Sequence, residues 1–111
     1  MWPFKRKPKR ASVTDIAIDQ VEIDHQGRLC VTPASNDFEM VYREAMGVYW
    51  DRNQRFLFSP IPHEMTYPQW YKQIVLAVIY QYGVRLNLTD QTRWVGISEH
   101  LRTEMSESIP S

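Results

Sequence analysis

The chain has 111 residues, of which 43% are hydrophobic, 13% aromatic and 23% charged, and its 13 lysines and arginines balance 13 aspartates and glutamates. This composition fits one compact domain and excludes a repeat array, a collagen-like chain and a wholly disordered chain. The single cysteine also excludes an intramolecular disulfide, and with it a disulfide-stapled secreted scaffold.

The chain begins with a basic segment ahead of an acidic remainder. Residues 11–111 carry eight positive and 13 negative side chains. The positive charges of the first ten residues come from Lys5, Arg6, Lys7, Lys9 and Arg10. We predict a flexible arm over residues 1–14. It is a solvated tail, or it binds anions on nucleic acid or on an anionic membrane surface.

The sequence gives no signal for export or membrane insertion. No apolar segment of the signal-peptide kind follows the basic arm. The longest apolar run covers residues 74–80 and is far shorter than the ~20 residues that cross a bilayer. We therefore predict a cytoplasmic protein without a transmembrane segment.

The first predicted element is a hairpin over about residues 15–32. Apolar residues alternate with polar ones along it, but the phase changes at Asp19-Gln20, which predicts a β-bulge. His25-Gln26-Gly27 is typical of a turn, and Pro33 ends the second strand.

Three further strands are predicted before the first helix. Alternation over residues 38–43 predicts a third strand. Residues 48–50 and 56–58, joined by a polar loop, predict a second hairpin. Pro60-Ile61-Pro62 cannot continue a ladder of hydrogen bonds, so we expect the sheet to end there.

A helix is predicted over residues 67–82. Thr66 and Gln69 have the spacing of a capping box, Pro68 lies in the first turn, and Gly83 can adopt the left-handed conformation that ends a helix. The helix is apolar on most of its circumference, so we expect it to pack across the sheet.

The rest of the chain predicts one more strand and one short helix. Val84, Leu86 and Leu88 alternate with polar residues, and residues 98–105 form a short helix capped by Ser98. The predicted fold class is α+β: an antiparallel sheet of about five to six strands packed against one main helix, with a short C-terminal helix. This single domain spans residues 15–105, and residues 106–111 are a disordered tail.

A candidate binding surface follows from the alternation in the second hairpin. We expect Trp50, Phe56 and Phe58 to face the core, which places Tyr49 on the other face. An amphipathic surface of the kind enriched at interfaces then comprises Tyr49, Asp51, Arg55 and Leu57.

The sequence offers no set of residues typical of catalysis. Asp24-His25 and His63-Glu64 place an acid beside an imidazole, but neither has the spacing of metal ligands. Cys30 lies within a strand, where a lone cysteine is more often a small buried hydrophobe than a nucleophile. We predict no catalytic residues, no metal and no cofactor.

The layout resembles known small bacterial proteins. The segment "GVYWDRNQRFLFSPIPHEMTYPQWYKQIVLAVIYQYGVRL" places a tryptophan strand and prolines ahead of an amphipathic helix and another strand. This resembles the α+β immunity proteins of polymorphic toxin systems and the α+β proteins carried on integron gene cassettes. The resemblance implies a cytoplasmic bacterial protein that acts by binding another protein.

Two functional hypotheses lead, and a third, an enzyme of an unrecognised type, would need a polar pocket that the sequence does not reveal. The first is a non-enzymatic protein-binding module, in its sharpest form an immunity-type inhibitor of a bacterial toxin, whose acidic body matches a basic partner. The alternative is a small adaptor anchored to nucleic acid or an anionic membrane through the basic arm. The sequence is also compatible with a homodimer, because a small sheet with one covering helix leaves edge strands whose backbone groups can pair with a second copy.

Overall fold

The structure is a computed structural model, and it describes residues 13–44, 46–59 and 65–109. The elements follow the chain in this order: β1 Thr14–Ile23, β2 Leu29–Pro33, a 3₁₀ turn Val41–Glu44, β3 Tyr49–Asp51, β4 Phe56–Phe58, α1 Tyr67–Tyr82, β5 Val84–Asn87, β6 Arg93–Val95 and α2 Glu99–Glu107. The α+β class, with one main helix and a short C-terminal helix, is confirmed.

The strands form one open sheet in the order β3-β4-β2-β1-β5, with β6 also paired to β1. The β1–β2 and β3–β4 pairs are antiparallel, as the predicted hairpins require, and the β2–β4 pair is antiparallel as well. Both pairings of β1 with the C-terminal strands are parallel. The sheet is therefore mostly antiparallel, with a parallel seam at β1.

The predicted bulge in β1 is confirmed and lies where that strand changes partners. Its register with β2 shifts between Ile18 and Gln20. Before the shift Ala17 pairs with Asn87 of β5, and after it Gln20 pairs with Arg93 of β6. The five residues between β5 and β6 thus loop out opposite the bulge, and the two strands act as one interrupted partner of β1.

A buried threonine bridges this interruption. The Thr92 hydroxyl donates to the Ile18 carbonyl at 2.6 Å and accepts from the Thr89 N–H at 2.9 Å. Thr92 is one of the few buried polar residues in the described ranges, with 6% of its surface exposed. Its hydroxyl therefore supplies a hydrogen bond at the point where the strand ladder has a gap.

We expect Thr92→Val to lower the free energy of unfolding by about 2 kcal/mol, because the isosteric side chain loses both hydrogen bonds at a buried site. Urea denaturation measures the change. Thr103→Val is the matched control, since the exposed Thr103 hydroxyl donates to the Glu99 carbonyl within α2 and its loss should cost under about 0.5 kcal/mol. Equal losses in the two variants would contradict the bridging role.

The predicted main helix is confirmed at both ends. Thr66 and Gln69 form a complete capping box, and Gly83 has a φ of 67° and donates its N–H to the Ile79 carbonyl. The helix buries Ile74, Val75 and Val78 in the same core as the sheet. α1 therefore packs across one face of the sheet, as its apolar circumference predicted.

The predicted third strand over residues 38–43 is wrong. Phe38 and Val41 are both buried, at 0% and 1% exposure, and the Val41 N–H donates to the Phe38 carbonyl at 3.1 Å. Buried residues three apart fit a tight turn rather than a strand, and Met40 and Tyr42 are exposed instead. Phe38 packs edge-on against Trp50 and Tyr82, with ring centroids 5.7 and 5.0 Å away.

The C-terminal helix is confirmed, with Ser98 as its N-cap, and it continues to Glu107. Residues 106 and 107 are thus helical, and Ile109 packs against the core, so the predicted tail over 106–111 was set too early. At the other end Thr14 already belongs to β1 rather than to the predicted arm. Among the described residues no helix has the length and hydropathy that a membrane span requires.

Candidate functional site

The sheet has one face under the helices and one open face. Val21, Val31 and Leu57 on the first face join the core built with α1. The pairs Glu22–Cys30 and Cys30–Phe58 lie on the opposite face, because directly opposed residues of a ladder share a face. We call this second face the open face.

The structure reverses the predicted faces of β4. Leu57, which we placed on the binding surface, lies opposite Trp50 and is 0% exposed. Phe58, which we placed in the core, lies opposite Tyr49 on the open face. The reversal follows from register, since a slip of one residue moves every side chain of a strand to the other face.

The open face carries a group of three aromatic rings and one guanidinium, which we call the aromatic-arginine cluster: Tyr49, Phe56, Phe58 and Arg28. The Arg28 guanidinium lies 4.8 Å from the Phe58 ring centroid and 5.8 Å from that of Phe56. Tyr49 contacts Phe58 at a centroid distance of 5.9 Å and is 49% exposed. Tyrosine and arginine are the residue types that most often dominate binding energy at protein interfaces.

Arg28 is held in this position by Asp24. The Asp24 carboxylate accepts from Arg28 Nε at 2.9 Å, and from the backbone N–H groups of Arg28 and Gln26 at 2.9 and 3.0 Å. Partial burial alone raises the pKa of Asp24, but these hydrogen bonds outweigh it and hold the pKa below its usual range. Asp24 is therefore ionised at neutral pH, and it fixes the turn and the guanidinium together.

Carboxylates dominate the charge around the cluster. Asp24 and Asp51 both act electrostatically on Arg28, and Glu22 lies on the open face beside Cys30. The Arg28 charge is already matched by its ion pair with Asp24. Neither Asp51 nor Glu22 forms an ion pair with a described residue, so both add negative charge beside the cluster, which favours contact with a positive surface.

The other predicted surface residues have structural roles in the hairpin. The Asp51 side chain accepts from the Asn53 and Gln54 N–H groups at 3.0 and 2.9 Å and so shapes the turn. Arg55 has a φ of 60° and donates from Nε to Asp37 at 2.9 Å. The structure thus brings Tyr49 and Asp51 to the cluster, leaves Arg55 at the exposed hairpin turn, and buries Leu57.

Cys30 is buried beneath the cluster, with 2% of its surface exposed. Burial, reinforced by the nearby Asp24 charge, raises the pKa of the thiol to about 12. The thiol is therefore protonated at neutral pH and is a poor nucleophile. In the described part of the chain, no group of three or more histidine, cysteine or acidic side chains is placed to hold a metal ion.

The anion-binding candidates of the arm, Lys5, Arg6, Lys7, Lys9 and Arg10, lie outside the described residues. The pair His63-Glu64 lies outside them as well.

These features define a small α+β protein with one helix-covered sheet face and one open face that carries aromatic, arginine and acidic side chains. The chain belongs to the family described as Integron Cassette Protein Hfx_Cass5, whose model matches residues 14–92. The resemblance to integron-cassette proteins is thereby confirmed. No curated protein matches the chain.

One solved structure is similar over most of the chain. It is described as "Structure from the mobile metagenome of North West Arm Sewage Outfall: Integron Cassette Protein Hfx_Cass5". The sequences are 43% identical, the match covers 84% of this chain and 93% of that chain, and the TM-score is 0.43.

Proposed function

We propose that this integron cassette protein is a non-enzymatic binding module that covers a basic surface of another protein with its open face. In its most specific form it is an immunity-type inhibitor whose partner is a positively charged bacterial toxin, such as a nuclease. The observation that carries the proposal is the aromatic-arginine cluster, which combines an exposed tyrosine and a stacked arginine with three neighbouring carboxylates.

The geometry of the cluster supports binding without large rearrangement. Arg28 makes two hydrogen bonds to Asp24, one from its backbone and one from its side chain, and its guanidinium lies over two rings, so little side-chain entropy is lost when a partner covers it. The half-exposed Tyr49 ring is large, and its hydroxyl can hydrogen-bond across an interface. The negative charge around the cluster raises the rate of encounter with a basic partner.

Tyr49→Ala is expected to weaken retention of the partner at least ~10-fold, because it removes the most exposed aromatic ring of the cluster. The test is capture on the tagged full-length protein from nuclease-treated lysate of the source bacterium, with quantification by mass spectrometry. The captured protein should be basic, and raising the salt concentration should release it.

Tyr80→Ala is the matched control, since Tyr80 is an equally large ring on α1 and is 62% exposed. The control should retain the partner as well as the parent protein does. If Tyr49→Ala and Tyr80→Ala retained it equally, the open face would not be the binding surface.

The same experiment separates this proposal from anchoring through the arm. A full-length variant with Lys5, Arg6, Lys7, Lys9 and Arg10 replaced by glutamine should keep the partner, because the open face is unchanged. If that variant lost all captured material while Tyr49→Ala kept it, the adaptor hypothesis would replace the proposed one.

A further inference from the structure

A cavity of about 330 Å³ lies at the end of the molecule away from β3 and β4, at the outer edge of β5. It is lined by four consecutive residues, 85–88, together with Tyr71 of α1 and the chain at Ser106 and Ile109. Consecutive strand residues face opposite sides of a sheet, so a cavity that touches all four lies along the edge of the strand. Its volume is at the lower end of the range for small-molecule sites.

Tyr71 contributes a hydroxyl without a partner. The residue is 3% exposed, and no described residue hydrogen-bonds its side chain. Two described side-chain atoms are fully buried and have no hydrogen-bond partner, the indole nitrogens of Trp50 and Trp70. The Tyr71 hydroxyl is not among these atoms. It is therefore not fully buried, and it is accessible from the cavity that Tyr71 lines. Burial raises the pKa of this phenol, which therefore remains a neutral hydrogen-bond donor.

Arg85 contributes further donors at the rim. Its Nε donates to Asp15 at 2.7 Å, which uses one side of the guanidinium. The two terminal nitrogens have no partner among the described residues. Because a guanidinium has five N–H groups in a rigid fork, the free side can still bind a carboxylate through two parallel hydrogen bonds.

The remaining lining separates the polar rim from an apolar interior. Leu86, Leu88 and Ile109 present aliphatic side chains to the cavity. The Asn87 amide nitrogen is already used by Asp15 and by the Arg85 carbonyl. The Tyr71 hydroxyl and the terminal nitrogens of Arg85 are therefore donors without a partner among the described residues, and they line the same cavity as these aliphatic side chains.

We propose that this cavity is a ligand site for a small organic acid, whose carboxylate contacts the free side of Arg85 and the Tyr71 hydroxyl while its apolar body fills the interior. A carboxylate supplies the acceptors that both groups lack, and the aliphatic wall favours a hydrocarbon or aromatic body over a polar one. The site lies at the opposite edge of the sheet from the aromatic-arginine cluster and does not depend on the protein-binding proposal.

The test is an NMR titration of the full-length protein with 4-phenylbutanoate and, in parallel, with its neutral amide, 4-phenylbutanamide. The acid should bind saturably, with a Kd of the order of 1 mM or tighter, and shift the backbone amides of residues 85–88 most. The amide should bind about 10-fold more weakly, because it lacks the charge that pairs with Arg85.

Two variants locate the effect. Arg85→Gln should weaken binding of the acid about 10-fold and abolish the preference over the amide. Tyr71→Phe should weaken it several-fold with the core volume nearly unchanged. Asp15→Asn is the control for the lost ion pair: it removes the negative charge beside Arg85 but keeps the guanidinium, so this variant should bind the acid at least as well as the parent protein does.

The proposal is overturned if neither compound gives saturable shifts by about 10 mM, a concentration well above the expected Kd. It is equally overturned if the shifts cluster away from β5, or if Arg85→Gln binds the acid as tightly as the parent. If Arg85→Gln and Asp15→Asn lost the same affinity for the acid, the loss would come from a changed strand edge rather than from a missing contact with the carboxylate. That result would also overturn the proposal.

Discussion

Replacing Leu57 with alanine is expected to lower the free energy of unfolding by about 3 kcal/mol. Leu57 is 0% exposed and lies in the core opposite Trp50, so the truncation removes buried apolar surface and leaves a cavity in close-packed surroundings. Urea denaturation of the variant, with the slope compared against the parent, measures the loss.

Tyr49→Ala in the neighbouring strand is the control, because Tyr49 lies on the open face and is half-exposed. Its truncation should cost about 1 kcal/mol or less, through the lost contact with Phe58. If Leu57→Ala cost no more than Tyr49→Ala, the faces of the hairpin would be those that alternation of aromatic residues predicts, with Leu57 at the surface. A small cost for Tyr49→Ala also makes that variant suitable for the binding experiment.

The hairpin faces show where the sequence signal ends. The two strands were predicted correctly because their alternation is local, but the register between them depends on the connecting turn. Arg55 in that turn has a φ of 60°, and a non-glycine residue in the left-handed region leaves no distinctive mark in the sequence. Because the faces were assigned from the aromatic residues, Trp50 was grouped with Phe56 and Phe58, whereas it lies opposite Leu57.

The main helix was predicted to the residue, because its signals lie within a few positions of its ends. Thr66, Gln69 and Gly83 act through hydrogen bonds to backbone groups that are three or four residues away. Such contacts do not depend on the rest of the fold. The same reasoning explains the success of Ser98 as the cap of α2.

The parallel pairing of β1 and the strand β6 could not be predicted, because they depend on contacts between residues that are far apart in the sequence. β6 has only three residues, and it pairs with β1 because the bulge there ends the pairing with β5. Thr14 pairs with Val84 across 70 positions, and no turn motif specifies that contact. Short strands of this kind are defined by the partner they find rather than by their own sequence.

The candidate site was predicted in part. Tyr49 belongs to the aromatic-arginine cluster and Asp51 lies beside it, but Arg28 and Phe58 were not predicted to belong to the cluster. Arg28 reaches Phe58 because β2 pairs with β4, which places Cys30 opposite Phe58 and Arg28 two positions away on the same face. The alternation of Arg28 with Cys30 was visible in the sequence, whereas the order of the strands was not.

Gly96 marks a close approach of two backbone segments that only glycine permits. It has a φ of 69°, and a Cβ at this position would lie 2.6 Å from the carbonyl oxygen of Ile23, at the end of β1. A contact this short with a backbone atom cannot be relieved by a side-chain rotation. The loop from β6 to α2 would have to move away from β1.

We therefore expect Gly96→Ala to lower the free energy of unfolding by about 3 kcal/mol, of which roughly 1 kcal/mol is the cost of a left-handed alanine and the rest is the clash. Gly83→Ala isolates the first part, because Gly83 has a φ of 67° and its Cβ would meet no atom within 4 Å. Denaturation of both variants gives the difference. About 2 kcal/mol between them would assign the larger loss to the contact with Ile23, since the two glycines have nearly the same positive φ. If the two alanine variants lost the same stability, the loop that contains Gly96 could move away from β1 at little cost. The contact of this loop with β1 would then contribute little to holding β6 in the sheet.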